Sequence, residues 1–244
     1  MTNAIFPISI DFHPPPCYTI IVIKEASASK KGTDTMRDIR LFKRELSLIK
    51  NDKLREIISS YLENATSDYF WTDGASSSGK YHPEFAQGVG GLVRHTKAVV
   101  MFAEELLKMS SYAFMREEYK DYVIAACIIH DTCKYGMSDE MDKSEYKNHA
   151  ENAAQNFVNW SMYEYDYCPS ELLLNAVKAH MGQWSTNKED RPFTNIDRCV
   201  HLADYIASRN FIDIPSITAD YKWCEYEHGK EENEIFPFEF AEGA

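Results

Sequence analysis

Beyond Met36 the apolar residues recur at helical rather than alternating spacing. Leu41, Leu46, Leu48, Ile49, Leu54, Ile57, Ile58 and Leu62 fit one face of a helix over 36–64. The same reading predicts further helices over 92–109, 116–133, 147–162, 170–181 and 196–209. Ser170, after Pro169 and before Glu171, reads as an amino-terminal cap. No sustained two-residue alternation follows residue 35, and no internal repeat is visible. The pattern predicts an all-α helical bundle over 36–224. Residues 1–35 differ. Pro14, Pro15 and Pro16 break any regular element, and 18–23 (Tyr-Thr-Ile-Ile-Val-Ile) allow one short strand. Glu25 to Thr35 reads as a linker. This stretch is expected to be an arm or extension with room for that one strand, and 225–244 an acidic tail.

Composition narrows the partners. The hydrophobic share, 44%, is enough for a sizeable core. Net charge is −12, and 225–244 hold seven glutamates against one lysine. No Lys/Arg cluster offsets this, so long nucleic acid is not an expected partner. A small phosphorylated substrate remains compatible. The six cysteines show no CxxC pair, which predicts free thiols in a reducing cytoplasm. The first residues lack the basic flank and apolar stretch of a signal peptide, and no run approaches a membrane span.

One junction stands out chemically. The apolar run Tyr122 to Ile129 ends in His130-Asp131. An imidazole and a carboxylate left unpaired in a core cost several kcal/mol, whereas a divalent metal would use both. Alone, the pair is equally a polar helix end. Four more metal-capable residues lie on or at the ends of successive helices: His95, His149, His180 and Asp204. Bundles build metal sites from such facing side chains. Singly, each histidine reads as a hydrogen-bonded core residue, and His201 competes with Asp204 for the last place. Gly74 to Lys80 matches GxxxxGK, but Tyr81 replaces the required hydroxyl residue and Pro83 disrupts a following helix. A phosphate loop is therefore not expected, although Lys80 and His82 could face a site.

In this order the residues resemble the HD-domain metal-dependent phosphohydrolases, whose pattern is a histidine, a histidine-aspartate pair and a distant aspartate. His95, His130-Asp131 and Asp204 match it, and His149 and His180 occupy the places of two further histidines found in two-metal members. The resemblance spans roughly 70–210. It rests on Gly-Gly-Leu-Val-Arg-His at 90–95, His-Asp-Thr-Cys-Lys at 130–134 and Leu-Ala-Asp at 202–204. The first segment is also similar to HD 3′–5′ exoribonucleases, and the Ser-Ser-Gly-Lys-Tyr-His-Pro loop to HD hydrolases of bacteria and phages. Cys133 departs from the glycine common in HDxGK.

The resemblance implies one or two divalent transition-metal ions, from among Mn, Fe, Co, Ni and Zn. Asp131 would bridge them. His95, His130 and Asp204 would hold one, with His149 and His180 completing the other. A metal-activated water would cleave a phosphate ester or anhydride of a nucleotide or short oligonucleotide. Lys134 is the first candidate to hold a substrate phosphate, followed by Lys80, His82 and Arg94. Gln183 and Trp184 are candidates to read or stack on a base, and Trp184 could equally be a lid or core residue. Other readings are a 3′–5′ exonuclease or cyclic-nucleotide phosphodiesterase, a di-iron HD-type oxygenase, and a non-catalytic ligand-binding protein.

Overall fold

The computed structural model describes residues 37–76, 82–214 and Ile217. The chain divides between Thr33 and Asp34, and every described residue lies after that division. The strand expected over 18–23, the amino-terminal arm and the acidic tail fall outside the described residues, as does Lys80.

The described residues are helical, with no strand among them. The helices are α1 (Lys43–Ser47), α2 (Asp52–Asn64), α3 (Asp68–Thr72), α4 (Gly91–Lys108), α5 (Glu117–Ile129), α6 (His149–Tyr165), α7 (Glu171–Ala179) and α8 (Asn195–Ala207). Helix α5 is the centre. Val123 through Ile129 are all buried, because α4, α6, α7 and α8 pack against it. Full burial of each Val or Ile there stabilises by about 1.5–3 kcal/mol. Its neighbours are amphipathic. On α8 the buried residues Ile196, Cys199, Val200, Ala203 and Ala207 form one stripe, and on α2 Leu54, Ile57, Ile58, Tyr61 and Leu62 do the same.

Caps set the helix starts. Ser170 accepts from the Leu172 amide at 3.3 Å, as expected from sequence. Thr194 and Asp197 form a reciprocal capping box on α8. The single helix expected over 36–64 is broken at 48–51. Buried Asp121 of α5 accepts the amides of Lys50 and Asn51, both at 2.8 Å, and Asn51 caps α2 through Leu54 N at 3.0 Å. A carboxylate distant in sequence thus takes the amides that a continuous helix would have used internally. The helix expected over 116–133 ends at Ile129, which leaves His130 and Asp131 in the turn beyond it. The GxxxxGK segment follows helix α3 rather than the strand a phosphate loop needs, and 77–81 lie outside the described residues.

Candidate metal centre

The site lies where several helix ends meet. His130 follows the last residue of α5, His180 follows the last of α7, and His149 opens α6. The final carbonyls of a helix lack intrahelical partners, and two of these histidines use them. His130 Nδ1 donates to the Cys127 carbonyl at 2.7 Å, and His180 Nδ1 to that of Val177 at 2.7 Å. His149 Nδ1 donates to Tyr146 O, also three residues back, at 2.5 Å. A carbonyl can only accept, so Nδ1 carries the proton in all three rings. Each Nε2 is then a lone pair aimed inward, the form in which histidine binds metal.

His95 reaches the same place from the second turn of α4. The loop before it explains the Gly-Gly-Leu-Val-Arg-His motif. Gly90 has φ +68°, which favours glycine. A Cβ on Gly91 would overlap the Ala86 carbonyl and stand 2.9 Å from Gly74 Cα. Arg94 ties the loop down, donating to the carbonyls of Phe85, Val89 (2.8 Å) and Gln87 (2.7 Å). These bonds correct the expectation that Arg94 holds substrate: its guanidinium is committed to backbone.

The carboxyl of Asp131 stands between two donor sets. On one side, His95 Nε2 and His130 Nε2 are 3.4 Å apart and lie 3.7 and 3.6 Å from Asp131 Oδ2. Asp204 Oδ1 adds a fourth donor, 3.1 Å from His95 and 3.8 Å from His130. On the other side, His149 Nε2 and His180 Nε2 are 2.9 Å apart and lie 3.2 and 3.8 Å from Asp131 Oδ1. The centre of each three-atom triangle is about 2 Å from its corners, the bond length of a divalent transition metal to nitrogen or oxygen. The second triangle is the sharper test. Its two imidazole Nε2 atoms lie on the side of each ring away from the Nδ1–carbonyl bond, and the carboxylate oxygen between them has no hydrogen-bond partner. Three ligand atoms converge on one point inside a core, an arrangement that a cation resolves. The residues present fit a metal ion in both sets.

Electrostatics agree with cation binding. Burial pushes His180 down to about 3, with His149 adding to the effect, and burial likewise lowers His130. Both imidazoles are therefore neutral ligands at physiological pH. Burial alone would raise Asp131, but the Lys134 ammonium beside it and the His130 ring hold it well below the usual carboxylate range. Asp204 is lowered too: burial alone would raise it, but the His95 hydrogen bond and the His130, His95 and His180 rings together outweigh burial.

The remaining candidates are spread out. Lys134 is buried and pairs with Asp131 Oδ2. His82 stands edge-on to His95, ring centroids 5.1 Å apart, and burial pushes it down to about 3. His201 lies outside both sets. Its Nδ1 donates to the His180 carbonyl at 2.7 Å, and its ring fills the space that a Cβ on Gly182 would need. Gln183 is exposed. Trp184 is half-exposed and stacks on Tyr205, so it is not a core residue. Sequence reading missed Tyr146, whose ring stacks on His149 at 5.2 Å and 22°. Its position three residues before a ligand histidine, at a helix start, is the signal that could have found it.

A helical bundle holding two histidine-carboxylate donor sets joined by one aspartate defines a class of metal-binding helical domains. Residues 92–209 match the family model of the HD domain, so this segment carries an HD domain. HD domains bind divalent metals. The match contains His95, His130, Asp131, His149, His180 and Asp204. No curated protein and no solved structure matches the chain. Among the described residues, no helix is long and apolar enough to cross a membrane. Cys127, Cys133, Cys168 and Cys199 are free thiols, and Cys133, standing in the family's glycine place, is buried.

Proposed function

We propose that the chain is a metal-dependent phosphohydrolase that cleaves a phosphate ester or anhydride of a small substrate, a nucleotide or short oligonucleotide. One observation carries this reading. Asp131 offers Oδ2 to one histidine set and Oδ1 to the other, so a single carboxylate addresses two cation positions. Divalent ions in those positions would supply positive charge for non-bridging phosphate oxygens and acidify a bound water.

The residues take separate parts. His95, His130, Asp131 and Asp204 would hold one ion, and Asp131, His149 and His180 the other. The carbonyls of Cys127, Tyr146 and Val177 fix the imidazole tautomers and aim the rings. Lys134 holds the shared carboxylate and places an ammonium inside the site, where it can also meet a substrate phosphate. Asp204 is the most exposed donor, its side chain 18% accessible against 2% or less for the others. Substrate therefore enters on the Asp204 side.

Elemental analysis followed by a turnover panel tests this. The protein is loaded with Mn, Co, Ni or Zn and offered nucleoside phosphates, labelled oligonucleotide and cyclic dinucleotides. Phosphate or nucleotide release that requires metal and is lost in Asp131→Ala supports the proposal. Metal-loaded protein that releases nothing from any of them, or that instead consumes oxygen when it holds iron, overturns it.

A further inference from the structure

Beside Asp204 and just beyond His180 stands a group of side chains that the metal chemistry does not use. Trp184 lies four residues beyond His180, in a short 3₁₀ turn. Its indole is parallel to the Tyr205 ring, with centroids 5.7 Å apart and planes 12° from each other. The Arg209 guanidinium stands over both rings, 4.3 Å from the Tyr205 centroid and 5.9 Å from that of Trp184. Arg209 is held there by its bonds to the Tyr205 carbonyl at 3.0 Å and Ser208 Oγ at 2.9 Å. Trp184 nonetheless keeps 49% of its surface in solvent and Tyr205 36%. A large indole pre-ordered by a parallel ring and a fixed cation, yet half open, is unlike a core residue.

Its position ties it to the reaction centre. His201, Asp204 and Tyr205 follow one another at helical spacing on α8, so they share one face. Asp204 is the most exposed of the donors, its side chain 18% accessible. On the other side, His201 joins α8 to the His180 carbonyl, and the turn through Gly182 that carries Trp184 packs on the His201 ring. The aromatic pair is thereby fixed to both donor sets by short, rigid connections.

We propose that Trp184, Tyr205 and Arg209 form a stacking platform for the nucleobase of the substrate, so that the centre acts on nucleotides in preference to other phosphate esters. The inference rests on the phosphohydrolase reading for the placement of the phosphate, but not for the binding of the base. Every base has a flat π-face that such a ring accepts, and an adjacent guanidinium strengthens the contact. The platform discriminates base from no base rather than one base from another.

Isothermal titration of the purified protein with adenosine, adenosine 5′-monophosphate and ribose 5-phosphate tests this. The monophosphate should bind about ten- to a hundredfold more tightly than ribose 5-phosphate, the range expected for one stacked base. Adenosine alone should bind measurably. Trp184→Ala should close the gap between the two phosphates, and Tyr205→Leu should narrow it. Equal affinities in the unaltered protein, no adenosine binding, or a gap that survives both substitutions overturns the proposal. A lower melting temperature in Trp184→Ala with the gap intact also overturns it, since the cluster would then serve only to stabilise the α7–α8 turn. The adenosine arm needs no hydrolysis. A failure of the phosphohydrolase reading would therefore appear in the turnover panel and not in this titration.

Discussion

Around Oδ2 of Asp131 the polar groups answer one another: Lys134 pairs with that oxygen, and His95 meets the Asp204 carboxylate at 3.1 Å. Around Oδ1 they do not. There the nitrogens of His149 and His180 face each other across 2.9 Å with their protons committed to carbonyls on the far side. The first half of the centre is partly satisfied without an ion, by the His95–Asp204 hydrogen bond and the Lys134 ammonium, although His95 Nδ1 has no partner. The second half has no carboxylate or ammonium beyond the shared Asp131 to answer its two imidazoles. A cation entering the first half displaces the Lys134 and Asp204 contacts, whereas one entering the second half meets an Asp131 Oδ1 that has no hydrogen-bond partner. The same residue types at similar spacings thus give two positions with different dependence on metal.

Substitutions can break this contrast at three levels. Asp131→Ala removes the only atom group common to both halves. Metal content should fall to background and turnover by about a thousandfold or more, the loss of several kcal/mol of charge stabilisation. Circular dichroism should still show a helical protein, because the apolar packing of α5 is untouched. His180→Ala removes one ligand of the second half alone. Turnover should fall by about a hundredfold, with the first half still loaded. Arg94→Met leaves the metal ligands in place but strands the buried Phe85 carbonyl and frees two half-buried ones, costing about 1–3 kcal/mol by denaturant unfolding. An Arg94→Met protein as stable as the parent would contradict the role assigned to that loop.

The smallest effect is on pH. Burial holds His180 and His82 down to about 3 in the folded chain, against an ordinary histidine value near 6.5. The unfolded chain therefore takes up protons that the folded one refuses. Stability of the metal-free protein should be full above about pH 6.5 and decline steadily as the pH falls toward 3. Thermal melts of chelator-treated protein between pH 8 and pH 5 check the sign. A melting temperature that rises on acidification would contradict it.

Much of the centre was legible before any coordinates. Polar ligands interrupt strongly apolar helical runs, as His130-Asp131 does after Ile129, and that is a local signal. The order of His95, His130-Asp131, His149, His180 and Asp204 carried the rest through resemblance. Local reading failed where a distant partner decides. The break at 48–51 depends on Asp121, some seventy residues away, and nothing in the apolar pattern of 36–64 announces it. Arg94 looked like a phosphate ligand because an arginine beside a histidine motif reads as cationic chemistry. Its carbonyl partners exist only once the loop before α4 has folded back. Trp184 was visible as a stacking candidate, but Tyr205 and Arg209 join it only through the packing of α7 against α8.

The central claim is that two cation positions share Asp131, and metal stoichiometry addresses it most directly. The unaltered protein and His149→Ala are loaded with Mn or Zn, desalted and analysed for metal per chain. The account predicts about two ions in the parent and about one in His149→Ala. Equal stoichiometry in the two proteins, or a parent chain that retains no metal, would contradict it.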